Sequence, residues 1–310
     1  MKLLLTGASG LVGAAVARAA ARRGHKVVGI VGRYPGDVPG LTKRISLELG
    51  DTVAVSTAVL DEFPEAIVNC AAISVPEACE RDPARAQQLN VILPELLARV
   101  AYHLSARYVH LSSEQVFDGG RTTPYSAGDP PAPINLYGRQ KLESERLVHA
   151  AAPEFAVTIR PPLLMGDSLG GRRSVHERLL ADWAAGKVPK LYTDELRQPC
   201  TAENLAEVIV ELCERNDGRG VFHWAGSEVI SRHALGVRLR EHFKLTEKQA
   251  PIVAVTRAQT PDAAKIRQAC LALDIAPLAA KLKTRPQTIA EQVEGLKVPA
   301  PVREWYLKQS

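Results

Sequence analysis

Three residues have the types and spacing needed to give a proton to a carbonyl oxygen. Tyr137 and Lys141 stand four apart in Tyr137-Gly138-Arg139-Gln140-Lys141, and on a helix that spacing stacks them on one face. An ammonium placed there favours the phenolate and draws down a phenol pKa that starts near about 10. Tyr137 can then act as a general acid near neutral pH. Upstream, Ser113 lies in His110-Leu111-Ser112-Ser113-Glu114, where its hydroxyl can hydrogen-bond the same oxygen as negative charge develops. Tyr-x-x-x-Lys by itself also describes an ordinary exposed helical pair. What separates the two readings is the start of the chain.

There the sequence runs Thr6-Gly7-Ala8-Ser9-Gly10-Leu11-Val12-Gly13, a G-x-x-G-x-x-G pattern between an apolar strand and an amphipathic helix. Gly7 permits a tight turn, Gly10 lets backbone approach a pyrophosphate, and Gly13 lets helix and strand pack closely. The pyrophosphate would meet free N–H groups at the positive end of the helix. Gly7, Ser9, Gly10, Leu11, Val12 and Gly13 therefore form the candidate dinucleotide loop. A carboxylate ends the second strand where the ribose 2′-hydroxyl of NAD is bound. Here that strand ends Ile30-Val31-Gly32-Arg33. The acid is missing, and the arginine that follows can pair with a 2′-phosphate. The expected cofactor is NADP(H) in preference to NAD(H), with Arg33 as the discriminating residue.

Short apolar segments at Lys2–Leu5, Lys26–Val31, Arg44–Leu47, Ala66–Asn69, Arg107–Leu111 and Ala156–Ile159 alternate with helical patterns such as Leu11–Arg23 and Glu95–Leu104. That alternation predicts an α/β fold, a Rossmann-type doubly wound parallel sheet, which takes its ligands at the carboxyl ends of its strands. Leu111 ends the fifth strand and delivers Ser113 to that edge. Gly24 marks the end of the first helix, and Asp82-Pro83 supplies an N-cap followed by proline at the first helical position. The alternation stops near residue 160. Ser231 reads as the N-cap of a helix through Phe243, Pro251–Pro261 as a strand and loop, and Thr288–Leu296 as the last helix. We expect residues 1–162 to form the dinucleotide-binding domain. Residues 163–310 should form mainly a smaller C-terminal substrate lobe, with some elements returning to the sheet.

Composition narrows the partners. Apolar residues make up 46 % and charged residues 24 % of the 310, which suits a globular fold with a sizeable core. No run nears the roughly 20 apolar residues of a membrane span. The opening run Leu3–Leu5 is too short for a signal peptide and reads as a strand. Five scattered cysteines (Cys70, Cys79, Cys200, Cys213, Cys270) include no C-x-x-C pair. They point to reduced thiols in a cytoplasmic setting, and away from a zinc site. His103, His110, His149, His176 and His242 have no metal-ligand spacing, so no metal is expected. The net charge of +5 is spread along the chain instead of forming a basic stripe, which argues against nucleic-acid binding.

Together these motifs resemble the extended short-chain dehydrogenase/reductases, and within them the branch containing dTDP-4-dehydrorhamnose reductase. Ile67-Val68-Asn69-Cys70-Ala71-Ala72 is similar to that branch's I-V-N-A-A-A, and the segment from Leu111 to Gly119 to its Y-S-T-D-Y-V-F-x-G. The segment from Pro133 to Leu142 resembles P-L-N-V-Y-G-K-T-K-L. The resemblance implies that Gly10, Leu11 and Val12 touch the pyrophosphate, Asp51 and Thr52 the adenine, and Cys70, Ala71 and Ala72 the ribose. It implies Ser113, Tyr137 and Lys141 as the catalytic set, with Leu111, Tyr137 and Lys141 also beside the cofactor. Ser113 and Glu114 would face the substrate, a nucleotide-linked 4-keto sugar.

Three positions depart from the branch. Leu163 stands where it presents an aromatic residue near the sugar, Gln115 replaces a tyrosine, and the acid of the second strand is absent. Leu163 is retained as a substrate-facing candidate, and a sugar other than the dTDP-linked one is expected. Gln115 also stands where sugar-nucleotide dehydratases carry a glutamate, and an amide cannot abstract a proton. The segment from Val221 to Glu228 and the Gly32-Arg33 turn are also similar to the regulatory beta subunit of methionine adenosyltransferase. That leaves a second reading, an NADP-binding regulatory or scaffold subunit with an idle triad. A sugar-nucleotide epimerase is a third, disfavoured by the missing acid. His223 and Trp224 read either as substrate contacts or as a packed strand of the lobe. A homodimer is compatible with all three.

Overall fold

The structure, a computed structural model, describes residues 1–215, 217–260 and 265–309. Its centre is a sheet made from runs that have few polar side chains to satisfy. Leu3, Leu4 and Leu5 of β1 (Lys2–Thr6), Val27, Val28 and Ile30 of β2 (Lys26–Val31), and Ile67 and Val68 of β4 (Ala66–Asn69) are all buried. Burial on both faces is what a parallel sheet covered by helices demands. The other strands are β3 (Lys43–Ser46), β5 (Arg107–Leu111), β6 (Ala156–Arg160) and β11 (Gly220–His223). The order is β11-β6-β5-β4-β1-β2-β3, parallel throughout.

The chain runs from β1 outward through β2 and β3, then re-enters on the other side of β1 with β4. The order therefore reverses between β1 and β4, and the crevice there is where open α/β sheets take ligands. On one face, α1 (Leu11–Arg22) packs against α8 (Ala202–Glu214). The fully buried Ala14, Ala17, Ala19 and Ala20 allow that close approach, and Arg22–Glu207 (2.6 Å) and Arg23–Glu214 (2.5 Å) edge the contact. The other face carries α2 (Thr52–Glu62), α5 (Leu93–Leu104) and α6 (Leu136–Ala151).

Elements fall where the sequence places them, with ends that move by a residue or two. β1 extends to Thr6, β3 starts at Lys43, β6 ends at Arg160, and α5 begins at Leu93 after a π-turn over Gln88–Ile92. Asp82 caps Pro83–Gln87 by accepting from Arg85 N at 3.1 Å. Ser231 caps Arg232–His242 in the same way, from Ala234 N at 3.0 Å. The Pro251–Pro261 stretch contains a strand at Val253–Val255 and a 3-10 turn at Arg257–Gln259, with Pro261 outside the described residues. One expectation needs correcting. The helix expected at Thr288–Leu296 forms as Ile289–Glu294, but it is not the last, because Arg303–Leu307 follows. Five residues behind Pro299 and Pro301 are too few to show helical periodicity.

The lobe beyond β6 has its own apolar core. Met165, Leu180 and Trp183 come from the segment before β11, and Leu235, Leu239, Phe243 and Leu296 from the segment after it. Among the described residues no helix is long and apolar enough to cross a membrane, and no group of side chains could hold a metal ion.

Candidate active site

Three loops leave the carboxyl ends of neighbouring strands: Gly7–Gly10 after β1, Cys70–Ala72 after β4, and Ser112–Ser113 after β5. The first is the glycine loop. Gly10 takes the N-cap position of α1 with no side-chain cap, and the helix has no acid in its first turn. The first-turn amides of Leu11, Val12 and Gly13 precede the helix's own bonding, so they are the groups an anion would take. A Cβ on Gly13 would lie 2.2 Å from the Gly7 carbonyl oxygen, so only glycine lets helix and loop meet. These residues fit a dinucleotide pyrophosphate.

The other cofactor candidates lie around this loop. Cys70 is partly buried and Ala71 buried, and Ala71 N donates to Asn69 Oδ1 at 3.2 Å. Asp51 caps α2, its carboxylate accepting from Ala54 N at 2.9 Å, and Thr52 opens that helix. Arg33 follows β2 with its side chain 81 % exposed, donating from Nε to Glu48 Oε1 at 2.8 Å. A pair that exposed contributes little to stability, so Glu48 competes only weakly for the guanidinium.

The catalytic candidates come together at the end of β5. Asn135 caps α6 by accepting from Gly138 N at 2.8 Å, and Tyr137 and Lys141 follow on one buried face. A Cβ on Gly138 would stand 2.2 Å from the Gln115 carbonyl oxygen. Glycine therefore lets α6 press against the loop that carries Ser113. Gln115 itself turns away from chemistry, its Oε1 accepting from Asn135 Nδ2 at 3.0 Å. Burial pushes the Tyr137 phenol well above its usual value, against the pull of the neighbouring Ser113 hydroxyl. Burial also holds the Lys141 ammonium down to about 8, although Glu145 supports its charge. The expectation that Lys141 draws the phenol down is thus corrected, because desolvation dominates here. The result is a neutral phenol, the form that can donate a proton.

Sequence reasoning missed the charged groups around Glu114. This buried carboxyl lies beside the Leu163 backbone N–H and 3.5 Å from Arg197 Nε, while its Oε2 has no hydrogen bond among the described residues. Arg197 also pairs with Glu195 at 3.1 Å, and Arg232 lies 3.9 Å from Glu195. Burial presses Arg232 down to about 10. The only hint in the sequence was the charged pair in Glu195-Leu196-Arg197. Asn90 was assigned no role either. In the π-turn it donates to Ile73 O and Gln140 Oε1, at 3.1 and 3.0 Å, so the turn after β4 is tied to α6. His223 and Trp224 resolve as packing, but the strand expected in the lobe instead joins the edge of the central sheet beside β6, whose parallel register it extends. His223 Nδ1 lies 3.0 Å from Tyr125 O, and the fully buried Trp224 donates to Asn204 Oδ1 at 2.8 Å.

Glu114 leads to a pH prediction. Burial holds it up at about 8, above its ordinary 4.5. A carboxyl raised on folding favours the folded chain while protonated, so its contribution is full below about 4.5 and lost as pH climbs through about 8. Urea stability of the unmutated protein should fall relative to Glu114→Gln across that window. A constant difference between the two proteins would refute it. Lys141, with its pKa lowered, acts with the opposite sign and above about 8, and it is common to both proteins.

A parallel sheet reversing at β1, a glycine loop at a helix N-terminus and candidate Ser, Tyr and Lys residues beyond β5 are the features of an extended short-chain dehydrogenase/reductase. Residues 1–297 match the model of the RmlD substrate binding domain family, and the chain belongs to that family. A probable low-salt glycan biosynthesis reductase of Haloferax volcanii is 30 % identical over 96 % of this chain and 97 % of its own length. The methionine adenosyltransferase 2 subunit beta of Xenopus laevis is 32 % identical over 79 % of this chain and 72 % of its own. Among solved structures, a hypothetical dTDP-4-dehydrorhamnose reductase from Sulfolobus tokodaii superposes with a TM-score of 0.80 at 26 % identity, covering 96 % of this chain and all of that one. A Bacillus anthracis dTDP-4-dehydrorhamnose reductase in complex with NADP shares the fold, with a TM-score of 0.79 at 18 % identity over 94 % and 96 % of the two chains.

Proposed function

We propose that this protein is an NADPH-dependent reductase of a nucleotide-linked 4-keto sugar. What supports the reading is that Ser113 follows β5, two strands from the glycine loop, with the Tyr137 hydroxyl beside its own and Lys141 one helical turn further along α6. In it residues 1–162 hold the cofactor and residues 163–310 mainly the substrate. The dinucleotide supplies the hydride when bound. Tyr137 gives its phenolic proton to the carbonyl oxygen, Ser113 Oγ donates a hydrogen bond to the same atom, and Lys141 places its charge beside both and beside the nicotinamide ribose. Glu114 and Leu163 face the sugar, and Leu163 offers no ring for stacking, which favours a sugar other than 4-dehydrorhamnose. A reducing, cytoplasmic setting accompanies this reading, since all five cysteines are free thiols.

NADPH oxidation with dTDP-4-dehydrorhamnose and a panel of other nucleotide keto sugars tests the proposal. Turnover of at least one is expected, and none at all would overturn it. The likeness to methionine adenosyltransferase 2 subunit beta favours one competing reading, a regulatory subunit with an idle triad. That reading predicts NADPH binding without turnover, together with a co-purifying enzyme.

Cofactor choice makes a separate prediction. With no acid ending β2 and Arg33 beyond it, NADPH should bind more tightly than NADH. Arg33→Ala should narrow the gap by about 1–3 kcal/mol, the range for hydrogen bonds to charged groups. Fluorescence titration of both cofactors checks this, and equal affinity in the unmutated protein would sink the assignment.

A further inference from the structure

The register of the sheet aligns three polar residues that the catalytic set does not use. Thr6 faces Asn69 across β1 and β4, and Asn69 faces His110 across β4 and β5. All three are buried. Thr6 Oγ1 donates to Asn69 Oδ1 at 2.6 Å, and Asn69 Nδ2 lies 3.3 Å from His110 Nδ1. His110 Nε2 lies 3.0 Å from Ser144 Oγ, and Ser144 Oγ donates to the Lys141 carbonyl oxygen at 2.7 Å.

Backbone groups fix the direction of every bond in this chain. The Ala71 N–H donates to Asn69 Oδ1, so the amide oxygen faces Thr6 and Ala71 and the NH2 faces His110. The single Ser144 proton goes to the Lys141 carbonyl, so Ser144 Oγ accepts from His110. His110 is therefore a neutral imidazole with its proton on Nε2. Burial pushes it well below its usual pKa, and Lys141 and His149 push the same way.

We infer that His110 is a positioning residue that ties the Cys70–Ala72 turn to the helical turn carrying Lys141. The ribose seat and the catalytic ammonium are thereby set as one unit. What the two ends do rests on the reductase reading; the bonding between them does not.

Long-range 1H–15N correlation spectra of the unmutated protein, with and without NADPH, read the tautomer directly. The expected result is an Nε2–H imidazole that does not titrate between about pH 5 and 8. A proton on Nδ1, or titration in that range, overturns the inference. In kinetics, His110→Phe removes both arms and should weaken NADPH binding and lower kcat by about tenfold each. His110→Gln keeps a donor toward Ser144 and should recover kcat. His110→Asn keeps an acceptor toward Asn69 and should recover the NADPH Kd. A folded His110→Phe protein with both quantities unchanged overturns the inference, and if that variant does not fold, the Gln and Asn pair and the spectrum decide. Failure of the unmutated protein to bind NADPH would overturn the reductase reading instead, and the tautomer result would stand.

Discussion

Replacing Tyr137 by phenylalanine should lower turnover by about 10²–10⁴, the range for a positioned general acid, while NADPH affinity stays nearly unchanged. The ring is buried among Ile73, Cys79, Ala86 and Leu136, so phenylalanine keeps the packing and removes only the hydroxyl. Lys141→Ala should instead damage both binding and turnover, because in the proposed mechanism its ammonium serves the ribose and the reacting oxygen together. Steady-state kinetics combined with fluorescence titration separates the two patterns. Full turnover in Tyr137→Phe would show that the proton comes from another group.

Glu145→Ala should destabilise the folded chain by about 3–5 kcal/mol, the cost of leaving a buried charge without its partner. Arg160 grips the carboxylate with both arms, Nε to Oε1 at 2.8 Å and Nη2 to Oε2 at 2.7 Å, and the Ser112 hydroxyl adds a third bond. Both side chains are about 4 % exposed, so water cannot take over. The Arg160 guanidinium also lies 5.1 Å above the Phe117 ring, which holds it in place when the carboxylate is gone. Urea unfolding midpoints measure the loss, and a change below about 1 kcal/mol would mean that Arg160 finds another partner. Glu145 also supports the Lys141 charge, so turnover should fall in the same variant.

How much of this could be read in the sequence depended on whether the residues concerned are neighbours along the chain. The glycine loop and the Tyr137–Lys141 pair are local patterns, one set by a tight turn and one by helical pitch, so their spacing carries their geometry. The strands were visible because burial on both faces leaves nearly unbroken apolar runs. Glu114 with Arg197, and His110 with Ser144, meet only because the sheet and lobe bring distant segments together. No spacing rule encodes such a meeting. The Lys141 effect on Tyr137 was misjudged for a related reason. Pitch predicts that the two groups are close, but not that burial outweighs their interaction. Arg303–Leu307 was missed because one turn of helix has no period to read.

The lobe core is stitched from two stretches of chain with β11 between them. On the ribosome, Met165, Leu180 and Trp183 emerge well before Leu235, Leu239 and Leu296, their partners in that core. Until α8 and β11 have docked on the sheet and the rest of the chain has followed, the first stretch waits with an apolar face in water. Such exposed surface is where aggregation begins. The vulnerable interval in making this protein is therefore expected to fall in the second half of its synthesis. An exchange of this lobe between relatives would likewise need both stretches moved together, since either alone would arrive without its counterpart.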